Sequence, residues 1–186
     1  QLSLNGSGIG TFSDRARDAV RGGGPSDSGK ALVERKGWLN GLGNDRDAPG
    51  ALAALAQAAE LVRVGLAGSL RDYALVDLHG KPVLLSDIDY HGQPAGYASQ
   101  PDEVVNYVEN HDNQTLFDNN VYKLPVHTST AERARVQVLA LAGNACSQGV
   151  AYFHAGVDTL RSKSMDRNSF DSGDWFNRLD WTYRDN

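Results

Sequence analysis

VVNYVENHDN (residues 104–113) and GVAYFH (residues 149–154) are two short apolar runs, and the way they are joined decides the fold. Both are rich in β-branched and aromatic residues without polar alternation, which is the pattern of a strand buried on both faces. Strands are expected over residues 104–110 and 149–154. Between them Ser129 and Glu132 form S-x-x-E, a capping box that opens a helix from Thr130 to about Cys146. Strand, loop, helix, strand is a βαβ unit, whose right-handed crossover makes the two strands parallel. The expected class is α/β. Loops after the strand ends are long and those before them shorter, the asymmetry of a TIM barrel, which works through the loops at its strand C-termini.

Upstream, short strands are expected over residues 2–4 and 9–12. Ser13 reads as the N-cap of a helix over residues 14–20, with Asp14 in the dipole-favoured first turn. Gly22-Gly23-Gly24-Pro25 ends that helix. Residues 22–50 read as a long irregular loop with one turn near residues 31–35, and loops of this length are often functional. Residues 51–68 form the clearest helix, with Leu52, Leu55, Ala59, Val62 and Leu66 on one apolar face and Gly65 and Gly68 closing it. Residues 69–103 are a second long connection with a weak strand at 75–78.

With 186 residues, 40% hydrophobic and 22% charged, the chain is large enough for a core and unlike a disordered one. No apolar run is long enough to span a membrane. Eighteen basic against 23 acidic residues give a net charge of −5, which argues against a nucleic-acid surface. The single Cys146 excludes an internal disulfide, leaves the redox compartment open, and is expected as a small core residue. Glycine is frequent, 20 residues without a repeat, and Gln1 has neither a Met nor a leader before it, as expected of a piece of a longer chain. No P-loop, G-x-G-x-x-G or zinc spacing occurs.

His111-Asp112-Asn113 follows the first strand directly. On chemistry alone Asp112 suits a base, a nucleophile, a metal ligand or an electrostatic stabiliser of a cation, and His111 suits a donor to a hydroxyl. The same four residues N-H-D-N also read as a polar turn. The second strand ends in His154-Ala155-Gly156-Val157-Asp158, again a histidine and an acid. Residues 161–168 mix both charges, usually the mark of a solvated face, although Arg167 beside Asp166 and Asn168 suits a hydroxyl-reading cluster. Phe170, Trp175, Phe176, Trp181 and Tyr183 have the flat rings that stack on sugars. For Trp175 and Trp181 plain packing of the chain's end is the stronger expectation.

YVENHDNQTLFD (residues 107–118) resembles the fourth conserved region of the α-amylase superfamily, glycoside hydrolase family 13, and more closely its type I pullulanases and plant limit dextrinases. NGSGIGTFSDRARDAVRGG (residues 5–23) and GVAYFHAGVDTLRSKSMDRNSFDSGDWFNRLDWTY (residues 149–183) resemble the same group, in family order and spacing. The resemblance implies part of a (β/α)8 catalytic barrel, about strands six to eight, with residues 1–186 incomplete at both ends. It implies retaining hydrolysis of α-1,6-glucosidic branch links in pullulan, amylopectin and limit dextrins. Asp112 matches the family acid that stabilises the transition state, and His111 a histidine on the sugar being cleaved. Arg167 matches an arginine of the neighbouring donor subsite and Tyr90 an aromatic on the acceptor side. Asn113 and Asn168 are assigned with them to substrate binding. Val157 departs from the acidic or small polar residue usual after His-Ala-Gly.

The motifs for the nucleophile and the general acid do not occur in these residues and are expected upstream of Gln1, with a β-sandwich expected after Asn186. The partners implied are a branched α-glucan and the rest of the polypeptide, without nucleic acid or a membrane span in this segment. No cofactor is required, calcium stays open as a structural ion, and the location implied is extracellular or on a bacterial cell surface. Two other readings compete. One is a glucan-binding segment without catalysis. The other is a metal-dependent barrel hydrolase using His111, Asp112 and His154, for which no paired-histidine spacing occurs.

Overall fold

The computed structural model describes residues 2–43 and 47–185. Gln1 and Asn186, on which the expected chain ends fell, and residues 44–46 of the long loop lie outside the described residues. In chain order the elements are β1 (Thr11–Phe12), α1 (Asp14–Arg21), α2 (Ala31–Glu34), α3 (Ala51–Leu66), β2 (Ala74–Val76), β3 (Pro82–Leu84), β4 (Asp89–Tyr90), β5 (Gln93–Pro94), β6 (Val104–Asn106), α4 (Leu116–Lys123), α5 (Thr130–Cys146) and β7 (Val150–Ala151).

The expected parallel sheet is present. β6 lies between β1 and β7, with Thr11 opposite Val104, Phe12 opposite Val105, Val105 opposite Val150 and Asn106 opposite Ala151. Helices fill both crossovers, so the chain is mixed α and β in the manner of an α/β protein. β2–β3 and β4–β5 are separate antiparallel hairpins within the connection to β6. The weak strand expected at 75–78 is therefore the first arm of a hairpin, starting one residue earlier and ending two residues earlier.

The strands are shorter than their apolar runs. β6 ends at Asn106 because the next backbone groups find side-chain partners: Arg21 donates from Nη1 to the carbonyl of Val108 at 3.2 Å. Tyr107 and Val108 stay buried without pairing. Residues 2–4, expected as a strand, form a 3₁₀ turn, and the chain reverses there with Gly6 and Gly8 at positive φ. The strand expected at 9–12 pairs only at Thr11 and Phe12.

Ser13 begins α1, but its side chain does not cap it and instead faces Ser69 Oγ at 3.4 Å. The capping box of α5 forms as expected, with Ser129 Oγ accepting from the Glu132 N–H and the Glu132 carboxylate from the Ser129 N–H. The eight-residue α4 was not expected, because Asn119, Asn120 and Val121 are weak helix formers. Its start was nonetheless marked by Thr115, whose hydroxyl accepts from the Asp118 N–H at 3.1 Å.

The buried face of α3 is rotated from the apolar stripe. Leu52 and Leu66 are exposed, while Ala51, Ala58, Glu60, Val64 and Gly65 are buried. Small residues decide this, because α1 lies against α3 so closely that a Cβ on Gly65 would sit 2.2 Å from Ala16 Cβ. Gly65 is thus a contact inside the helix and not its terminator. Cys146 is exposed on α5, since that helix buries Gln137, Ala140 and Asn144 instead. Val20, Leu39, Val108, Leu116 and Ala140 form one core cluster, and Val64, Leu85, Ile88 and Ala95 another. Gly65→Ala is expected to lower stability by about 1–3 kcal/mol through overpacking, outweighing the roughly 1 kcal/mol gained in helix propensity. A lowered midpoint in denaturant unfolding of the full-length protein checks this.

Candidate active site

The candidate site is the loop between β6 and α4. Its backbone leaves the sheet while still enclosed, so its peptide groups need partners. His111 and Asp112 stand out from it with side chains 77% and 63% exposed, His111 Nδ1 lying 3.3 Å from Asp112 Oδ1. Asn110 Oδ1 accepts the Asp112 N–H at 2.9 Å, a local turn that aims the pair outward. Asn113 follows in the left-handed region, with φ at 60°.

Asn113 also lines a small cavity with Gly22–Pro25, Asp27, Arg21, Asn119 and Lys123. Arg167 reaches this glycine loop from the far end of the chain, donating to the carbonyls of Pro25 and Asp27. Asn113 and Arg167 are thus brought to the same loop. Tyr90 lies on its other side, lining an open groove that shares Asp18 and Gly22–Pro25 with the cavity. The Tyr90 hydroxyl donates to Asp18 Oδ2 at 2.7 Å and its ring sits under Arg15, 4.9 Å from the guanidinium carbon. Burial and the Asp18 carboxylate push its phenol pKa up, so it remains a hydrogen-bond donor. Asn168 is exposed, its backbone N–H held by Asp166, and lines neither space.

Of the residues that build the loop, His154 is marked by the sequence motifs and Glu109 is not. Glu109 is 1% exposed. Its carboxylate accepts from the Leu116 N–H at the start of α4 and pairs with His154 Nδ1 at 2.8 Å. Arg161 Nη1 lies 3.3 Å from His154 Nε2. An arginine can only donate, so Nε2 accepts and Nδ1 carries the proton given to Glu109. Arg161, His154 and Glu109 therefore form a directed chain from the loop after β7 to the start of α4. Arg161 and Lys163 are buried, contrary to the solvated face expected of that charge run. The only sign of this in the sequence was an acid at the end of an apolar run, with two cations spaced by one residue in a later loop.

Phe170, Trp175, Trp181 and Tyr183 are exposed, so the packing expected for the two tryptophans is not made among the described residues. Nor does any group of three or more His, Cys, Asp or Glu gather there as for a metal ion. The His111, Asp112 and His154 set of the metal-dependent reading is thus not assembled.

The loop, the parallel sheet and the grooves beside it are what the chain has in common with other proteins. Over its whole length the chain is 49% identical to a pullulanase of Klebsiella pneumoniae and 44% identical to the chloroplastic pullulanase 1 of Arabidopsis thaliana. The crystal structure of K. pneumoniae pullulanase complexed with maltotriose matches 97% of the chain and 17% of that protein, with a TM-score of 0.92 at 48% identity. No protein-family model matches. By sequence and by structure the chain is similar to one segment of the pullulanases. It spans 17% of the K. pneumoniae and 20% of the A. thaliana protein.

Two outcomes follow from this geometry. Glu109→Gln leaves one acceptor oxygen for two buried donors, so one is orphaned at a cost of about 1–3 kcal/mol, read as a lowered unfolding midpoint of the full-length protein. Burial moves the Lys123 amine down to about 8 from 10.5, against the nearby Asp27 carboxylate. The unfolded chain then binds the extra proton between these values, so stability rises as pH climbs from about 8 to 10.5. Lys123→Met is expected to flatten that rise in denaturant titrations across the window.

Proposed function

We propose that this chain is part of the catalytic domain of a retaining glycoside hydrolase of family 13. Its substrates are the α-1,6-glucosidic branch links of pullulan, amylopectin and limit dextrins. The observation that carries this is the whole-length match to pullulanases, with an exposed His-Asp pair at the C-terminal end of the middle strand of a parallel sheet. On this reading β1, β6 and β7 are the sixth to eighth strands of a (β/α)8 barrel. It fits that β1 and β7 each keep one edge without a partner strand among the described residues.

Asp112 is the acid that stabilises positive charge developing on the sugar ring. A fixed carboxylate in a water-poor cleft does this far better than water, and the rest of the polypeptide supplies the walls that dry the cleft. The nucleophile and the general acid, about 5–5.5 Å apart in a retaining enzyme, come from upstream of this segment. His111 donates to a hydroxyl of the ring under attack. Arg167, Asn113 and Asn168 bind on the donor side, and Tyr90 on the acceptor side. The reaction calls for no cofactor, and calcium has at most a structural place. The enzyme works outside the cell or on its surface, where branched glucans are met.

In the full-length protein Asp112→Asn is expected to cut kcat on pullulan by about 100- to 1000-fold, with glucan affinity largely kept. Reducing-end release and glucan-binding titrations measure the two. Turnover near that of the wild type overturns the role of Asp112. A wild type that binds branched glucan and never cleaves it replaces the enzyme with a glucan-binding protein.

A further inference from the structure

We propose that Lys163 is a positioning residue for Asp112, its ammonium group fixing the backbone on both sides of that carboxylate. The inference rests on the reading of Asp112 as the acid that stabilises the transition state.

Lys163 is 1% exposed, and its Nζ donates to the carbonyls of His111 and Asn113, each at 2.8 Å. A buried lysine ordinarily faces a carboxylate. Here the ammonium instead holds the two backbone oxygens that bracket Asp112. Burial, with Arg161 adding to it, lowers the pKa of this amine against the attraction of Glu109, Asp166 and Asp118.

The loop needs an outside hold. It has left the sheet at Asn106, its own local bond is the Asp112 N–H to Asn110, and Asn113 stands at a φ few non-glycine residues adopt. Lys163 is itself anchored. Its backbone N–H donates to Asp118 Oδ2 at 2.8 Å, and the Ser162 hydroxyl donates to Oδ1 of the same carboxylate. Asp118 is fully buried in the first turn of α4, the helix that begins where the loop ends. The bracket is therefore closed: α4 holds the 162–163 backbone, the Lys163 side chain returns across the loop, and Asp112 sits at the middle of the held stretch. The ammonium reaches backbone on either side of Asp112 and not its carboxylate, which leaves that carboxylate open to substrate.

The test is Lys163→Met in the full-length protein, which keeps the stem and removes the charge. The kcat on pullulan is expected to fall about 100-fold, the size of effect a displaced catalytic group produces. The KM is expected to stay within about threefold, since little ground-state binding is removed. Made in an Asp112→Asn background, the same substitution is expected to cost less than about threefold, because no carboxylate is left to position. A Lys163→Met enzyme with near-wild-type kcat overturns the inference. An equal loss in the Asp112→Asn background does so too, since it marks a general structural effect. If Lys163→Met does not fold, Lys163→Gln is judged by the same two criteria. A wild type that does not cleave pullulan overturns the reading of the reaction. A cleaving wild type whose kcat ignores Lys163 overturns the positioning role alone.

Discussion

The backbone between β6 and α4 leaves the sheet before it leaves the protein interior, and the surrounding structure is arranged to satisfy it. Three buried charged side chains do so. Arg21 donates to the carbonyls of Val108 and Gln114, Glu109 accepts from the Leu116 N–H, and Lys163 donates to the carbonyls of His111 and Asn113. Five main-chain groups are thereby paired. Charge-assisted bonds are the stronger kind, so the loop is held without regular secondary structure.

That requirement reaches outward. Arg21 is at the end of α1, and burial together with Arg17 lowers its pKa to about 10. It can sit where it does because α1 lies tightly on α3 through Gly65 and Ala16. The carbonyl of Arg21 in turn accepts from Asn40 and Asn119, joining the glycine loop and α4 to the same point. The end of α1 and the loops after β6 and β7 are therefore joined by polar contacts around the exposed His111 and Asp112. On the proposed role of Asp112, rigid support with an open face suits an electrostatic site, because its advantage lies in not having to reorganise.

Legibility followed the range of the interaction. The capping box of α5, the parallel strand pair and the exposed His-Asp turn were readable, since each is set by residues a few positions apart or by an apolar run. The orientation of α3 was misread. Its leucines make the stronger stripe, but Gly65 and Ala58 permit closer approach, and close approach to α1 decides the buried face. Cys146 was misread for a related reason, the contact face of α5 being polar in part through Gln137 and Asn144. Of the expected substrate residues, Asn113, Arg167 and Tyr90 come to one glycine loop, while Asn168 stands apart from it.

The sequence by itself determined the α/β order, the place of the His-Asp pair after a buried strand, and the resemblance to pullulanases. Only the tertiary structure decided which charges are interior. Lys163 looked like one member of a solvated charge run, yet it meets His111 across 52 positions of sequence. Local patterns record what neighbours along the chain can satisfy. Whether a charge is buried depends on which distant backbone groups need it, and that is known only once the chain has closed around them.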